Sequence, residues 1–316
     1  MAKARRKIVV TGAAGLVGQN LLTIMRERPD WSVVAVDKHL HNLKILERLH
    51  PRTEVVHADL AERGSWSSAF AGADVVVQLH AQITGKGRVP FERNNLQATR
   101  NVLDAMNEHD VPFLVHVSSS VVNSVARDHY TNTKRAQEQM VRESGVAHCI
   151  LRPTLMFGWF DPKHLGWLAR FMERTPVFPI PGHGRYLRQP LYNRDFCRVI
   201  SWAIDNTPAG QSYDLVGPDD IDYIDIIRTI KRVKKLRTPI VKIPYTLFAA
   251  LLEIYALFSD RPPFTVDQLE ALTAGDEFTG VDMQAEFGIT PTPFEQAMHE
   301  THNHPQYSSV VLEGYV

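Results

Sequence analysis

The stretch Lys7-Ile8-Val9-Val10-Thr11-Gly12-Ala13-Ala14-Gly15-Leu16-Val17-Gly18 decides the fold. Residues 7–11 form a short, β-branched apolar run, the pattern of a strand buried on both faces. A helical pattern then runs from residue 15 to 28 and stops at Pro29. The glycines between serve geometry: Gly12 permits the tight turn, Gly15 lets the backbone approach a phosphate, and Gly18 lets the helix pack on the strand. The helix N-terminus offers unpaired N–H groups and a partial positive charge to an anion.

Outward from this stretch, strands and helices alternate. Residues 32–37, 55–57, 73–79, 113–117 and 147–151 read as further strands, and 95–108 and 130–143 as helices. Strands that are apolar on both faces and alternate with helices predict a doubly wound α/β fold of Rossmann type, with a parallel sheet. After Arg152-Pro153 this rhythm breaks, and prolines and glycines cluster between Pro176 and Gly184. We therefore expect a dinucleotide-binding domain over 1–153, with 190–217 returning to it, and a smaller, mostly helical substrate lobe over 154–316. Within that lobe, 165–173, 222–235 and 245–258 read as helices.

Composition narrows the class. The chain has 316 residues, 44% of them apolar, with Lys+Arg and Asp+Glu equal at 35. A net charge of zero gives no basic face for nucleic acid. Cys149 and Cys197 lie in apolar surroundings and read as reduced thiols of a cytoplasmic protein. The basic start, Met1 to Lys7, reads as a solvated tail rather than a leader. The apolar run 245–258 is shorter than the about 20 residues that span a bilayer, and it reads as a buried helix. The basic run 231–237 upstream keeps a membrane-surface role open.

Specific side chains point to the cofactor. Asp37 ends the second strand, where a carboxylate accepts both ribose hydroxyls and repels a 2′-phosphate, so the expected dinucleotide is NAD; Lys38 weakens that preference slightly. Asp59-Leu60 follows the third strand, where Asp59 meets the adenine amino group or caps a helix. Tyr130 and Lys134 stand at i and i+4 on one helix face, and an ammonium nearby is expected to favour the phenolate. Ser118-Ser119-Ser120 closes the fifth strand and offers a hydroxyl to the substrate oxygen.

Together these pieces resemble the extended short-chain dehydrogenase/reductases, the NAD-dependent epimerase/dehydratase group. Leu79-His80-Ala81, Asn95 to Thr99 and Leu151-Arg152-Pro153-Thr154 with Phe157-Gly158 add to the likeness. The resemblance implies Tyr130 as acid/base, Lys134 as its partner, and Ser119 or Ser120 as the hydroxyl, Ser119 being preferred. It implies cofactor contacts from Gly12, Ala14, Gly15, Leu16, Val17, Asp37, Asp59, Leu60, Leu79, His80, Ala81, Asn95, Val117, Tyr130, Lys134, Arg152, Pro153 and Thr154. It also implies substrate contacts from Gln82 and from Arg188, the latter resembling an arginine that grips a nucleotide-sugar phosphate. A homodimer is the family expectation.

Three departures stand out. The link from the serines to Tyr130 is short, the acidic pair that dehydratases carry is replaced by Ser120 and Val121, and Thr154-Leu155-Met156 lacks the asparagine that many sugar-nucleotide enzymes place there. Dehydration is therefore disfavoured, and the chain looks more like atypical members, including the accessory subunit of respiratory complex I and steroid-dehydrogenase-like proteins. The expected function is NAD-dependent epimerisation of a nucleotide sugar. The rivals are oxidation or reduction of a hydrophobic, steroid-like alcohol or ketone, and a non-catalytic NAD-binding scaffold. His299, His302 and His304 read as part of a solvated tail rather than a metal site, His116 as core packing, and His80 as a wall of the nicotinamide pocket.

Overall fold

The computed structural model describes residues 5–258, 266–275 and 277–313. The opening stretch folds as β1 (Arg6–Thr11) followed by α1 (Leu16–Met25). Then come β2 (Trp31–Asp37), α2 (Leu40–Leu49), β3 (Glu54–His57) and β4 (Val75–Gln78). They are followed by α3 (Ala98–Glu108), β5 (Phe113–Val117), α4 (His129–Glu143), β6 (Ala147–Pro153), α5 (Leu165–Arg174), α6 (Asn193–Asn206) and β7 (Ser212–Leu215). The seven strands form one parallel sheet in the order β7-β6-β5-β4-β1-β2-β3. The order reverses between β1 and β4, and a crevice opens there at the strands' C-terminal ends.

Both faces of the sheet are covered, which is why its strands carry no polar alternation. Ile8, Val10 and Ala35 meet α1 and α6 on one face, while Val9, Val34 and Val76 meet α3 on the other. Within 190–217, α6 lies against α1 and β7 pairs with β6. The helix α2, which the periodicity reading passed over, buries Leu43 and Leu46. Ahead of α3, residues Glu92–Gln97 form a π-helical turn. Both cysteines are free and buried.

A third apolar cluster gathers elements that follow the break at residue 153. It joins Phe157, α5, Phe178 and Ile180 to α7 (Tyr223–Val233) and to the helix Phe294–Asn303. Two expectations fail here. Residues 299–304 are not a solvated tail: 299–303 belong to that helix, which buries Phe294, Ala297 and Met298, and His304, just past its end, stacks on Tyr307 at 4.5 Å. His299 is exposed, and no group of three metal-ligating side chains occurs among the described residues. Nor is α8 (Tyr245–Phe258) a buried helix, since Leu247, Leu251 and Ile254 are 52%, 49% and 53% exposed. No helix among the described residues is long and apolar enough to cross a membrane.

A fourth cluster ties the chain's last described residues back to the sheet. Tyr307 and Leu312 pack with Trp159 and Phe160 against Ile45 and Leu49 of α2. Asn42 and Glu313 exchange two hydrogen bonds, at 3.0 and 3.2 Å.

The opening stretch leaves no room for a larger residue at its third glycine. A Cβ on Gly18 would stand 2.3 Å from the Ala13 carbonyl oxygen, well inside van der Waals contact. Gly18→Ala is therefore expected to cost about 3 kcal/mol, read as a lowered thermal midpoint by calorimetry. Full stability in that variant would contradict the close helix–strand packing described.

Candidate active site

The ends of β1 to β6 and the turns after them enclose a cavity of about 590 Å³. Gly12, Gly15, Leu16 and Val17 form its floor, with Asp37, Asp59 and Leu60 to one side and Leu79, His80 and Ala81 in the middle. Val117, Ser119, Ser120, Tyr130, Lys134, Pro153 and Thr154 close the other end, together with Gln82 and Arg188. No side chain caps α1, so its N-terminal turn faces the cavity uncapped, an arrangement that fits a diphosphate.

Asp37 is 5% exposed. One of its oxygens accepts the Ala14 N–H at 2.9 Å and the other the His39 N–H at 3.0 Å, so it fixes the glycine loop and the start of α2 together. Burial pushes its carboxyl above the ordinary value, against those backbone donors. Asp59 lies in a charged cluster. One oxygen accepts the Ala61 N–H at 3.0 Å, and the other accepts from Arg93 at 2.8 Å with Lys38 at 3.8 Å. Burial raises its pKa, but Arg93, the Ala61 N–H and Lys38 outweigh that and hold it below the usual range.

Three of the expected cofactor residues stand behind the wall. Ala14 contributes only its N–H to Asp37. Asn95 sits in the π-helical turn and grips Gln82, accepting its N–H at 2.6 Å and donating to its carbonyl at 3.1 Å. Asn94 in the same turn donates to the Gln82 side chain at 2.8 Å, so the extra width of the π turn aims two adjacent asparagines at one loop residue. Arg152 points away from the cavity and forks onto Glu138 of α4 at 2.8 and 2.6 Å. The alternation of side chains along β6 gives Pro153 to the cavity and Arg152 to that pair.

The reacting end comes from α4 and the turn after β5. Asp128 caps α4 by accepting the Thr131 N–H at 3.0 Å. One turn on, Asn95 donates to Thr133 at 2.9 Å and Gln137 donates to Thr99 at 2.8 Å, locking α4 against the π turn and α3. Ser119 and Tyr130 line the same cavity, and the Ser119 hydroxyl favours the ionised phenol, whereas Ser120 begins the short helical turn Ser120–Asn123 and is buried. Lys134 is 1% exposed, and its Nζ donates to the Val117 carbonyl at 2.9 Å.

Burial overturns one electrostatic expectation. The Tyr130 phenol is pushed above its ordinary value by desolvation, with the Ser119 hydroxyl opposing and Asp128 adding to the rise. Lys134 does not lower it, because burial drives that ammonium itself down to about 7, with Glu138 opposing. Desolvation also takes His80 down to about 3, and its Nδ1 lies 2.9 Å from the Thr11 hydroxyl. His80 is therefore a neutral wall of the cavity. His116, behind it, is wholly buried, as core packing requires.

Arg188 reaches the cavity, where it donates to the Leu187 carbonyl at 3.3 Å and to that of Leu272. Sequence reasoning missed His39, Lys163, His164, Leu312 and Glu313, all of which line the cavity beside Lys38. His39 was within reach, since it follows Asp37 and Lys38 directly. Lys163 and His164 arrive through a turn held by buried Asp161, which accepts the N–H groups of Lys163, His164 and Gly166, each at 2.9 Å. Leu312 and Glu313 arrive only because the chain's end folds over α2.

The sequence profile of the NAD dependent epimerase/dehydratase family matches residues 8–216. The chain is 26% identical over 241 residues to the low-salt glycan biosynthesis protein Agl12 of Haloferax volcanii, covering 66% of this chain and 76% of that protein. It is 23% identical over 265 residues to the N-acetyl-alpha-D-glucosaminyl-diphospho-ditrans,octacis-undecaprenol 4-epimerase of Escherichia coli O157:H7, covering 76% of each. Among solved structures, the UDP-glucose 4-epimerase of Thermotoga maritima with UDP-glucose superposes with a TM-score of 0.73 at 17% identity, covering 93% of this chain and 97% of that one, a likeness of fold.

The Lys134 shift carries a stability consequence. Between about 7 and the ordinary 10.5, the unfolded chain holds a proton on this lysine that the folded chain releases, so its contribution makes stability rise with pH across that window. Below pH 7 the buried cation costs a few kcal/mol. Lys134→Met is expected to raise the neutral-pH midpoint of the dinucleotide-stripped protein and to flatten its pH dependence in denaturant titrations. An unchanged pH slope would show that Lys134 does not titrate in this range.

Proposed function

Because this chain belongs to the NAD dependent epimerase/dehydratase family, we propose that it binds NAD in the glycine-loop cavity and interconverts a secondary alcohol and its ketone on a nucleotide sugar, with epimerisation as the net reaction. The observation that carries this reading is the convergence of the Ser119 hydroxyl, the Tyr130 phenol and the Lys134 ammonium at the cavity end opposite Asp37 and Asp59. Bound NAD supplies the hydride acceptor and donor. Gly12, Gly15, Leu16 and Val17 would hold its diphosphate, and Asp37 the adenosine ribose.

Ser119 would hold the substrate oxygen, and Tyr130 would take and return its proton. A phenol whose pKa is raised stays protonated at neutral pH, which suits it to give a proton to a ketone oxygen. Lys134 would hold positive charge beside that oxygen when its own surroundings supply an anion or acceptor. Arg188 would meet a substrate phosphate across the cavity, and Gln82 would be fixed for substrate by Asn94 and Asn95. We place a homodimer and a cytoplasmic address in the same reading, along with the division into a cofactor domain over 1–153 and a substrate lobe over 154–316.

A second reading, net oxidation or reduction of a hydrophobic alcohol, is favoured by Leu155, Met156, Leu272 and Phe278 on the substrate side. The scaffold alternative has less support, since it has no use for a complete Ser119–Tyr130–Lys134 set.

The decisive variant is Tyr130→Phe. It is expected to keep its NAD, read by absorbance of the released dinucleotide, and to lose roughly 100-fold or more in turnover of UDP or dTDP sugars followed by NMR. Undiminished turnover would overturn the mechanism. Steady NADH release on a sterol-like alcohol by the unaltered protein would select the second reading.

A further inference from the structure

The helix α8 is the one feature that the proposed chemistry leaves unused. From Tyr245 to Ile254 it carries a single charged residue, Glu253, and yet much of it faces outward. Leu247, Leu251 and Ile254 stand at i, i+4 and i+7, so they form one continuous apolar stripe. Val241, in the strand Ile240–Ile243 just before the helix in sequence, is exposed as well. An apolar helix left at the surface marks a contact with something other than water.

The charges around it identify that contact. Between residues 231 and 254 there are six cationic side chains, and Glu253 is the sole acid. Arg232 pairs with Glu295 and Lys234 with Glu173. Lys231, Lys235, Arg237 and Lys242 have no ion pair among the described residues, and the last three are exposed. An apolar stripe flanked by unpaired cations of one sign complements an anionic, oily surface, and 14 residues are too few to cross it.

We propose that α8 seats this protein on an anionic phospholipid bilayer, the apolar stripe entering the headgroup boundary and Lys235, Arg237 and Lys242 meeting lipid phosphates. The position of the helix gives the docking a use. It packs against the helix Val266–Ala274, whose Leu272 lines the cavity and whose carbonyl accepts from Arg188. The substrate side of the cavity thus lies next to the membrane-facing element, which suits the hydrophobic alcohol of the second reading proposed above; the docking itself does not rest on that reading.

Sedimentation of the full chain with vesicles tests it. The protein is expected to pellet with phosphatidylcholine vesicles that contain phosphatidylglycerol, to stay in solution with phosphatidylcholine alone, and to be released by high salt. Leu247→Glu and Leu251→Glu should each weaken that binding at least about tenfold. Their melting temperatures and NAD content should be unchanged, because both side chains are exposed and remote from the glycine loop. Tyr130→Phe should pellet like the unaltered protein while losing turnover, so a failure of docking and a failure of the catalytic reading give different results. The proposal is overturned if the unaltered protein stays in solution with anionic vesicles, or if the glutamate variants bind them equally well. It is also overturned if light scattering shows a dimer that Leu251→Glu dissociates while vesicles capture neither form, since a second copy would then cover the stripe.

Discussion

The architecture hangs on one close approach, that of β1 and its turn to the elements on either side. A Cβ on Gly12 would stand 2.6 Å from the His80 backbone nitrogen, and one on Gly18 would meet the Ala13 carbonyl. These contacts hold the end of β1 against the turn after β4, where the sheet order reverses, and hold α1 down on its strand. Once those three elements are fixed, the other parts of the cofactor half follow by short hydrogen bonds. The Ala14 N–H finds Asp37 and the Thr11 hydroxyl finds His80.

The reacting end depends on a different device, a buried polar layer. Gln78, Thr99, Asn95, Thr133 and Gln137 link β4, α3, the π turn and α4 through short side-chain hydrogen bonds. With Thr133 and the Gln137 amide nitrogen paired in this way, α4 can be drawn deep enough to bury Lys134. The same burial then sets the electrostatics. It disfavours charge on Lys134, His80 and Tyr130 alike, so the site is arranged around neutral groups whose protonation a bound anion or acceptor would change.

The chain's later segments divide by what they find to pack against. Tyr307 and Leu312 find Trp159, Phe160 and α2, and so the far end of the sequence becomes part of the cavity wall. The helix Phe294–Asn303 finds α7 and buries one of its faces. In contrast, α8 is more apolar than that helix, and although it packs against the helix Val266–Ala274, its stripe of Leu247, Leu251 and Ile254 faces outward.

The sequence by itself determined the sheet, the glycine loop and the order of the elements, because period, β-branching and glycine spacing are local properties that survive any tertiary arrangement. The strands at 113–117 and 147–151 and the Tyr130–Lys134 helix were legible for that reason. Tertiary structure alone decided what surrounds each side chain. The pleat of β6 sends Pro153 and Arg152 to opposite faces, but that one face holds the cavity and the other Glu138 is set by the position of α4. The phenol of Tyr130 is raised rather than lowered, because desolvation depends on all the atoms nearby and not on a lysine four residues away. Leu312 and Glu313 join a site whose first residue is Gly12, which only the path of the folded chain brings about. Whether an apolar run such as 245–258 is buried or presented outward is likewise set by its neighbours, since hydrophobicity dictates that it leave water but not what it leaves water for.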